Sequence, residues 1–91
     1  MLKGAVILKE YNILFTFYST HLALEFEREL KNSEINVKIT PVPRQISSSC
    51  GLSGRINDQD LETVKGVCSE KDIEYEDIYQ IKGENFKRIS E

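Results

Sequence analysis

The chain has 91 residues, 40% of them hydrophobic and 30% charged, a balance that fits one globular domain and excludes both two domains and a disordered chain. Twelve basic residues against fifteen acidic ones leave a net charge of −3. The dense basic surface needed to release counterions from a polynucleotide is therefore missing, and no nucleic acid partner is expected, though a local basic spot around Arg44 and Arg55 would suit a small anion.

Two cysteines, Cys50 and Cys68, make a poor disulfide framework. The four-residue apolar run Ala5–Leu8 is too short for a signal core or a membrane span. These features predict a cytoplasmic protein with reduced thiols and no membrane partner.

Residues 1–9 read as an extension or an extra strand ahead of a single domain over 10–82. Asn12–Tyr18 is almost continuously apolar and rich in branched and aromatic residues, which predicts a central strand buried on both faces. Ser19 or Thr20 offers a helix N-cap, and Leu22, Ala23, Phe26 and Leu30 then fall on one helical face up to Asn32. Ile35–Ile39 alternates with period two and predicts a second strand, ended by Pro41 and Pro43.

Leu52–Ile56 predicts a third strand, weakened by Gly54. Asn57 or Asp58 caps a second helix with Leu61, Val64, Val67 and Cys68 on its apolar face, stopping near Lys71. Ile73–Ile81 predicts a fourth strand with a turn or bulge near Asp77, and residues 83–91 a polar tail in which Phe86 and Ile89 could dock. The order β-α-β-β-α-β predicts an α+β ferredoxin-like fold: a four-stranded antiparallel sheet with two helices on one face. In it the first two strands run parallel, so the loop after the second strand lies beside the first helix's start, near Ser19, Thr20 and His21.

That loop, Pro41 to Gly51, spends about ten residues where a hairpin usually takes two to five. It holds two prolines, Arg44 with its fork of donors, the hydroxyls of Ser47, Ser48 and Ser49, the nucleophile Cys50, and Gly51, which leaves backbone N–H groups accessible. A guanidinium, a helix N-terminus or an array of N–H donors would each raise the thiolate fraction of Cys50, and the same donors could hold an anion. The plainer account is a small packing residue under a turn. Cys68, on the apolar helix face, reads as a buried hydrophobe; a redox pair with Cys50 lacks Cys-x-x-Cys spacing.

His21, the only histidine, reads first as a solvent-facing residue beside a cap and second as a neutral base facing the cysteine loop. One histidine and two separated cysteines give no zinc spacing, and no nucleotide-binding motif is present, so neither metal nor cofactor is expected. Glu74, Glu76 and Asp77 read as an exposed strand edge guarding against aggregation, and Tyr75 and Tyr79 as packing residues.

The runs Ile13–Ala23 and Pro41-Val-Pro-Arg-Gln-Ile-Ser-Ser-Ser-Cys-Gly51 resemble the small bacterial domain family described as putative selenium/sulfur carrier protein-like, over roughly residues 12–81. The resemblance implies a carrier more than a turnover enzyme, with a persulfide or selenopersulfide on Cys50, and leaves the question of an enzyme open. Pro43, Arg44, Ser48, Ser49 and Gly51 complete its motif, and Ser19, Thr20 and His21 match its helix start. It implies a sulfur or selenium donor, such as a cysteine desulfurase, and an acceptor enzyme. The sequence lacks the Cys-Pro-x-Pro signature of better-understood sulfur carriers. Two other functions compete: an anion-binding or regulatory module using Arg44–Gly51 without covalent chemistry, and a thiol redox protein. An exposed edge strand could also pair two copies as a homodimer.

Overall fold

The computed structural model describes residues 11–89. The extension over 1–9 lies outside them. The elements in chain order are β1 (Ile13–Thr16), α1 (Thr20–Asn32), β2 (Lys38–Pro41), β3 (Leu52–Ile56), a 3₁₀ turn (Asp58–Asp60), α2 (Leu61–Lys71), β4 (Asp77–Lys82) and β5 (Asn85–Arg88). The sheet has five strands in the order β2-β3-β1-β4-β5, every neighbouring pair antiparallel.

β1 is the central strand, as its continuous apolarity requires. Ile13, Leu14, Phe15, Thr16 and Phe17 are all at most 1% exposed. Side chains alternate along it, so Ile13 and Phe15 face the helices and Leu14 and Thr16 the opposite side of the sheet. The helix-side core joins Ile13, Phe15 and Phe17 to Ala23, Phe26 and Leu30 of α1, Ile56 of β3, Val64 and Cys68 of α2, Ile73 and Ile78. Phe26 lies between two β1 rings, with centroids 5.0 Å from Phe15 and 4.9 Å from Phe17.

Gly54 explains how α1 comes so close to β3. A Cβ there would stand 2.6 Å from Phe26 Cε2, so the missing side chain is the space the ring occupies. The first helix cap follows the sequence: the Ser19 side chain accepts from Leu22 N–H at 3.2 Å. The second does not: Asn57 accepts from Gln59 N–H at 2.7 Å and so caps the 3₁₀ turn, and the N-cap of α2 is Asp60, which makes no side-chain cap bond. α2 ends at Asp72, whose φ of 57° terminates the helix with a left-handed residue.

Three further expectations change. The sheet has five strands, not four: the segment read as a polar tail carries β5, hairpinned to β4 through Gly83 and Glu84. Gly83 has φ +62°, which a two-residue hairpin with glycine first requires. β2 is displaced to Lys38–Pro41, and Pro41 belongs to it, opposite Leu52. β2 is an edge strand, where a missing N–H leaves no ladder bond unmade. β4 begins only at Asp77, where the alternation slips, and Ile73 enters the core from the preceding loop.

Candidate functional site

The antiparallel pairings bring four chain ends to one edge of the sheet. Thr16 at the end of β1 faces Ser53 near the start of β3 and Asp77 at the start of β4, and Pro41 at the end of β2 faces Leu52. The cysteine loop lies on this edge. Val42 N–H donates to Gly51 C=O at 3.0 Å, so the ladder runs one pair past β2 and the open loop shrinks to residues 43–50. Pro43 starts a turn closed by Ile46 N–H on its carbonyl at 3.0 Å, and Ile46, 7% exposed, pins the loop to the body of the domain.

Past that pin, Ser48 and Ser49 meet a carboxylate that the sequence had assigned to an exposed strand edge. Ser49 N–H donates to Glu76 Oε1 at 3.1 Å and its hydroxyl to Oε2 at 2.9 Å. The Ser48 hydroxyl is shared between Glu76 Oε1 at 3.3 Å and the Phe17 carbonyl at 3.4 Å. Glu76 is itself anchored, its N–H donating to Thr16 C=O at 2.6 Å. Asp77 next to it is tied by its N–H to Thr16 Oγ1 at 3.1 Å and by its carboxylate to Arg88 Nε at 2.9 Å. Glu76 is thus a loop anchor and not a free edge charge. Topology was the signal that could have found it, because an antiparallel β4 must start where β1 ends.

Cys50 follows this anchored pair. It is half-buried, packs partly against the core, and its thiol donates to the Leu52 carbonyl at 3.4 Å. Gly51 is exposed, and a Cβ there would meet nothing within 4 Å. Arg44 is exposed on the outer turn. The Ser48–Phe17 contact places the loop against the chain two residues ahead of the Ser19 cap, which is the neighbourhood the parallel β1–β2 arrangement predicts. The side chains of the helix start are another matter. Thr20 is exposed, and His21, with an 84% exposed side chain, turns along the helix to place Nε2 3.4 Å from Glu25 Oε1.

The second cysteine is of a different kind. Cys68 is free, 3% exposed, and burial pushes its thiol up to about 11. The phenol of Tyr75 is also raised, first by burial and then by the neighbouring Cys68. At neutral pH Cys68 is a protonated packing group, which leaves Cys50 as the thiol within reach of another molecule.

The class of protein this defines is a small α+β domain that presents one half-exposed cysteine on a tethered loop at the rim of its sheet. Among known families, the one described as putative Se/S carrier protein-like matches residues 12–80, and the chain belongs to it. No curated protein matches the chain, and no solved structure does. Among the described residues no helix is long and apolar enough to cross a membrane.

Proposed function

We propose that the protein carries a sulfur or selenium atom on Cys50, as a persulfide or selenopersulfide, between a donor and an acceptor protein in a reducing compartment such as the cytoplasm. The observation that carries this is the family match over residues 12–80 together with a half-exposed cysteine on the rim of the sheet. A rim position suits transfer between two proteins, each of which must bring its own sulfur to the same atom. On this reading the strands β1 to β4 form a ferredoxin-like core and β5 is an addition to it.

The step is an exchange. The Cys50 thiolate attacks the outer sulfur of a donor persulfide, a new S–S bond forms on Cys50, and the donor thiolate leaves with the electron pair of the broken bond. The acceptor then repeats the attack, and Cys50 is returned as thiolate. No net oxidant is consumed by the carrier. Pro43 and Ile46 shape the turn, the Glu76 contacts to Ser48 and Ser49 hold the segment before the sulfur, and Gly51 leaves the far side open. On the same reading Arg44, exposed on the outer turn, would meet an acidic rim on a partner.

Incubation with a cysteine desulfurase and cysteine, followed by intact-mass analysis under non-reducing conditions, tests this. The expected product gains the mass of one sulfur atom, loses it on adding a thiol reductant, and does not form in Cys50→Ser. An adduct that persists in Cys50→Ser, or no adduct from any persulfide donor, overturns the proposal.

A further inference from the structure

The face of the sheet opposite the helices carries two cations in direct opposition. The register pairs Lys38 of β2 with Arg55 of β3, continuing to Leu14, Tyr79 and Arg88 across the sheet. Leu14 points away from the helix-side residues Ile13 and Phe15, so this row lies on the far face. Directly opposed side chains on neighbouring strands stand about 5 Å apart at Cβ, and like charges in that position destabilise the pair.

Each of the other cations on this row or on α1 with a carboxylate in reach uses it. Arg88 is held by Asp77 at 2.9 Å, Lys31 lies 3.2 Å from Glu27, and Arg28 is 3.7 Å from Glu25 and Glu29. Among the described residues Lys38 and Arg55 have no carboxylate within ion-pair distance. Arg55 Nε is moreover buried with no hydrogen-bond partner among the described residues. A buried guanidinium N–H lacking an acceptor is costly, and an anion held by this guanidinium would offset that cost. The hydroxyls two residues further along this face bond each other instead: Thr40 Oγ1 and Ser53 Oγ are 3.2 Å apart, and Ser53 Oγ donates to the Thr40 carbonyl at 3.0 Å.

We infer that Lys38 and Arg55 form a site for a doubly charged tetrahedral oxyanion of the phosphate or sulfate type. Two opposed cations call for a dianion, which a single carboxylate is not. The guanidinium edge supplies paired donors, and the ammonium on the next strand supplies a point charge from a second direction. This site is on the other face of the sheet from the core against which Cys50 packs, and it is independent of the carrier chemistry.

Titration of the full chain with inorganic phosphate, against sodium chloride at matched ionic strength, tests the inference by calorimetry and by NMR of the Arg55 Nε–H. Phosphate is expected to bind and to shift that resonance. Lys38→Gln should weaken binding at least about tenfold and Arg55→Gln should abolish it, while Cys50→Ser binds as wild type. Lys38 is exposed on an edge strand, so Lys38→Gln decides the matter even if Arg55→Gln fails to fold. Glycerol phosphate in a parallel titration separates the sources: tighter binding than inorganic phosphate assigns the site to a phosphorylated ligand, and equal or weaker binding to the free ion. Phosphate acting only as chloride does, or binding unchanged in Lys38→Gln, overturns the inference.

Discussion

Removing the Glu76 carboxylate tests how the cysteine loop is held. In Glu76→Ala two donors lose their acceptor, Ser49 N–H and Ser49 Oγ–H, and the shared Ser48 Oγ–H keeps only the Phe17 carbonyl. Hydrogen bonds to a charged acceptor contribute about 1.5–3 kcal/mol each when well buried. Ser49 is exposed and Ser48 and Glu76 are half-buried, so water takes over much of the lost bonding and a total of roughly 1–2 kcal/mol is the reasonable expectation. Because about 1.4 kcal/mol is a factor of ten, the open form of residues 47–50 should become about tenfold more populated. Amide hydrogen exchange at Ser49 reads this directly, since that N–H donates to Glu76. Its protection should fall about tenfold in Glu76→Ala, with a smaller loss in Glu76→Gln, which keeps one acceptor oxygen. The midpoint of urea unfolding should move by no more than the same free energy. Sulfur loading of Cys50 should slow with the loss of loop order. Unchanged Ser49 exchange in Glu76→Ala would refute the anchoring role, whatever happened to overall stability.

Two further predictions concern the core. Gly54→Ala should cost about 1–3 kcal/mol in chemical denaturation, because the new methyl meets Phe26, which is held between Phe15 and Phe17 and cannot swing aside; a loss under about 0.5 kcal/mol would show that the ring yields. Folding raises the Cys68 thiol from 9.0 to about 11, so the unfolded chain loses that proton first: the stability this supplies is full below pH 9 and is lost as pH rises towards 11, by up to roughly 2–3 kcal/mol, and the slope should vanish in Cys68→Ala.

What could be read from the sequence is what short-range pattern encodes. The continuous apolarity of residues 12–18 marked the central strand, Ser19 marked the start of α1, and the spacing of Val64 and Cys68 marked the buried face of α2. The length and content of the loop before Gly51 singled out Cys50 as the candidate site residue. Features set by sheet position were less visible. Pro41 looks like a terminator until β2 is known to be an edge strand, and Gly54 looks like a weakness until Phe26 is seen to fill its place. β5 is short and mostly exposed, with Phe86 as its half-buried residue, so it has little alternation to detect; the glycine at its hairpin was the available sign. Glu76 carries no local signature at all, since its role depends on a contact 27 residues away in sequence.

The donors around the loop bear on the choice between covalent carriage and anion binding. An anion held by Arg44–Gly51 would draw on the two serine hydroxyls and the Ser49 N–H, the groups that Glu76 already engages. Glu76 is tethered within the same domain, so its effective concentration at those donors is far above that of a free metabolite, and a competing anion must first overcome it. A sulfur atom bonded to Cys50 faces no such competition, because its attachment is a covalent bond at an atom whose own contacts are the partly packed core and the Leu52 carbonyl. The two demands are also compatible in a single geometry. A loop fixed through Ser48 and Ser49 keeps the sulfur at a constant place on the sheet edge, and under the proposed carrier role a donor and an acceptor docking in turn would find it in the same position. The carboxylate that competes with an anion at these donors thus leaves the carrier reading, which rests on the family match and on Cys50, as the one it does not oppose.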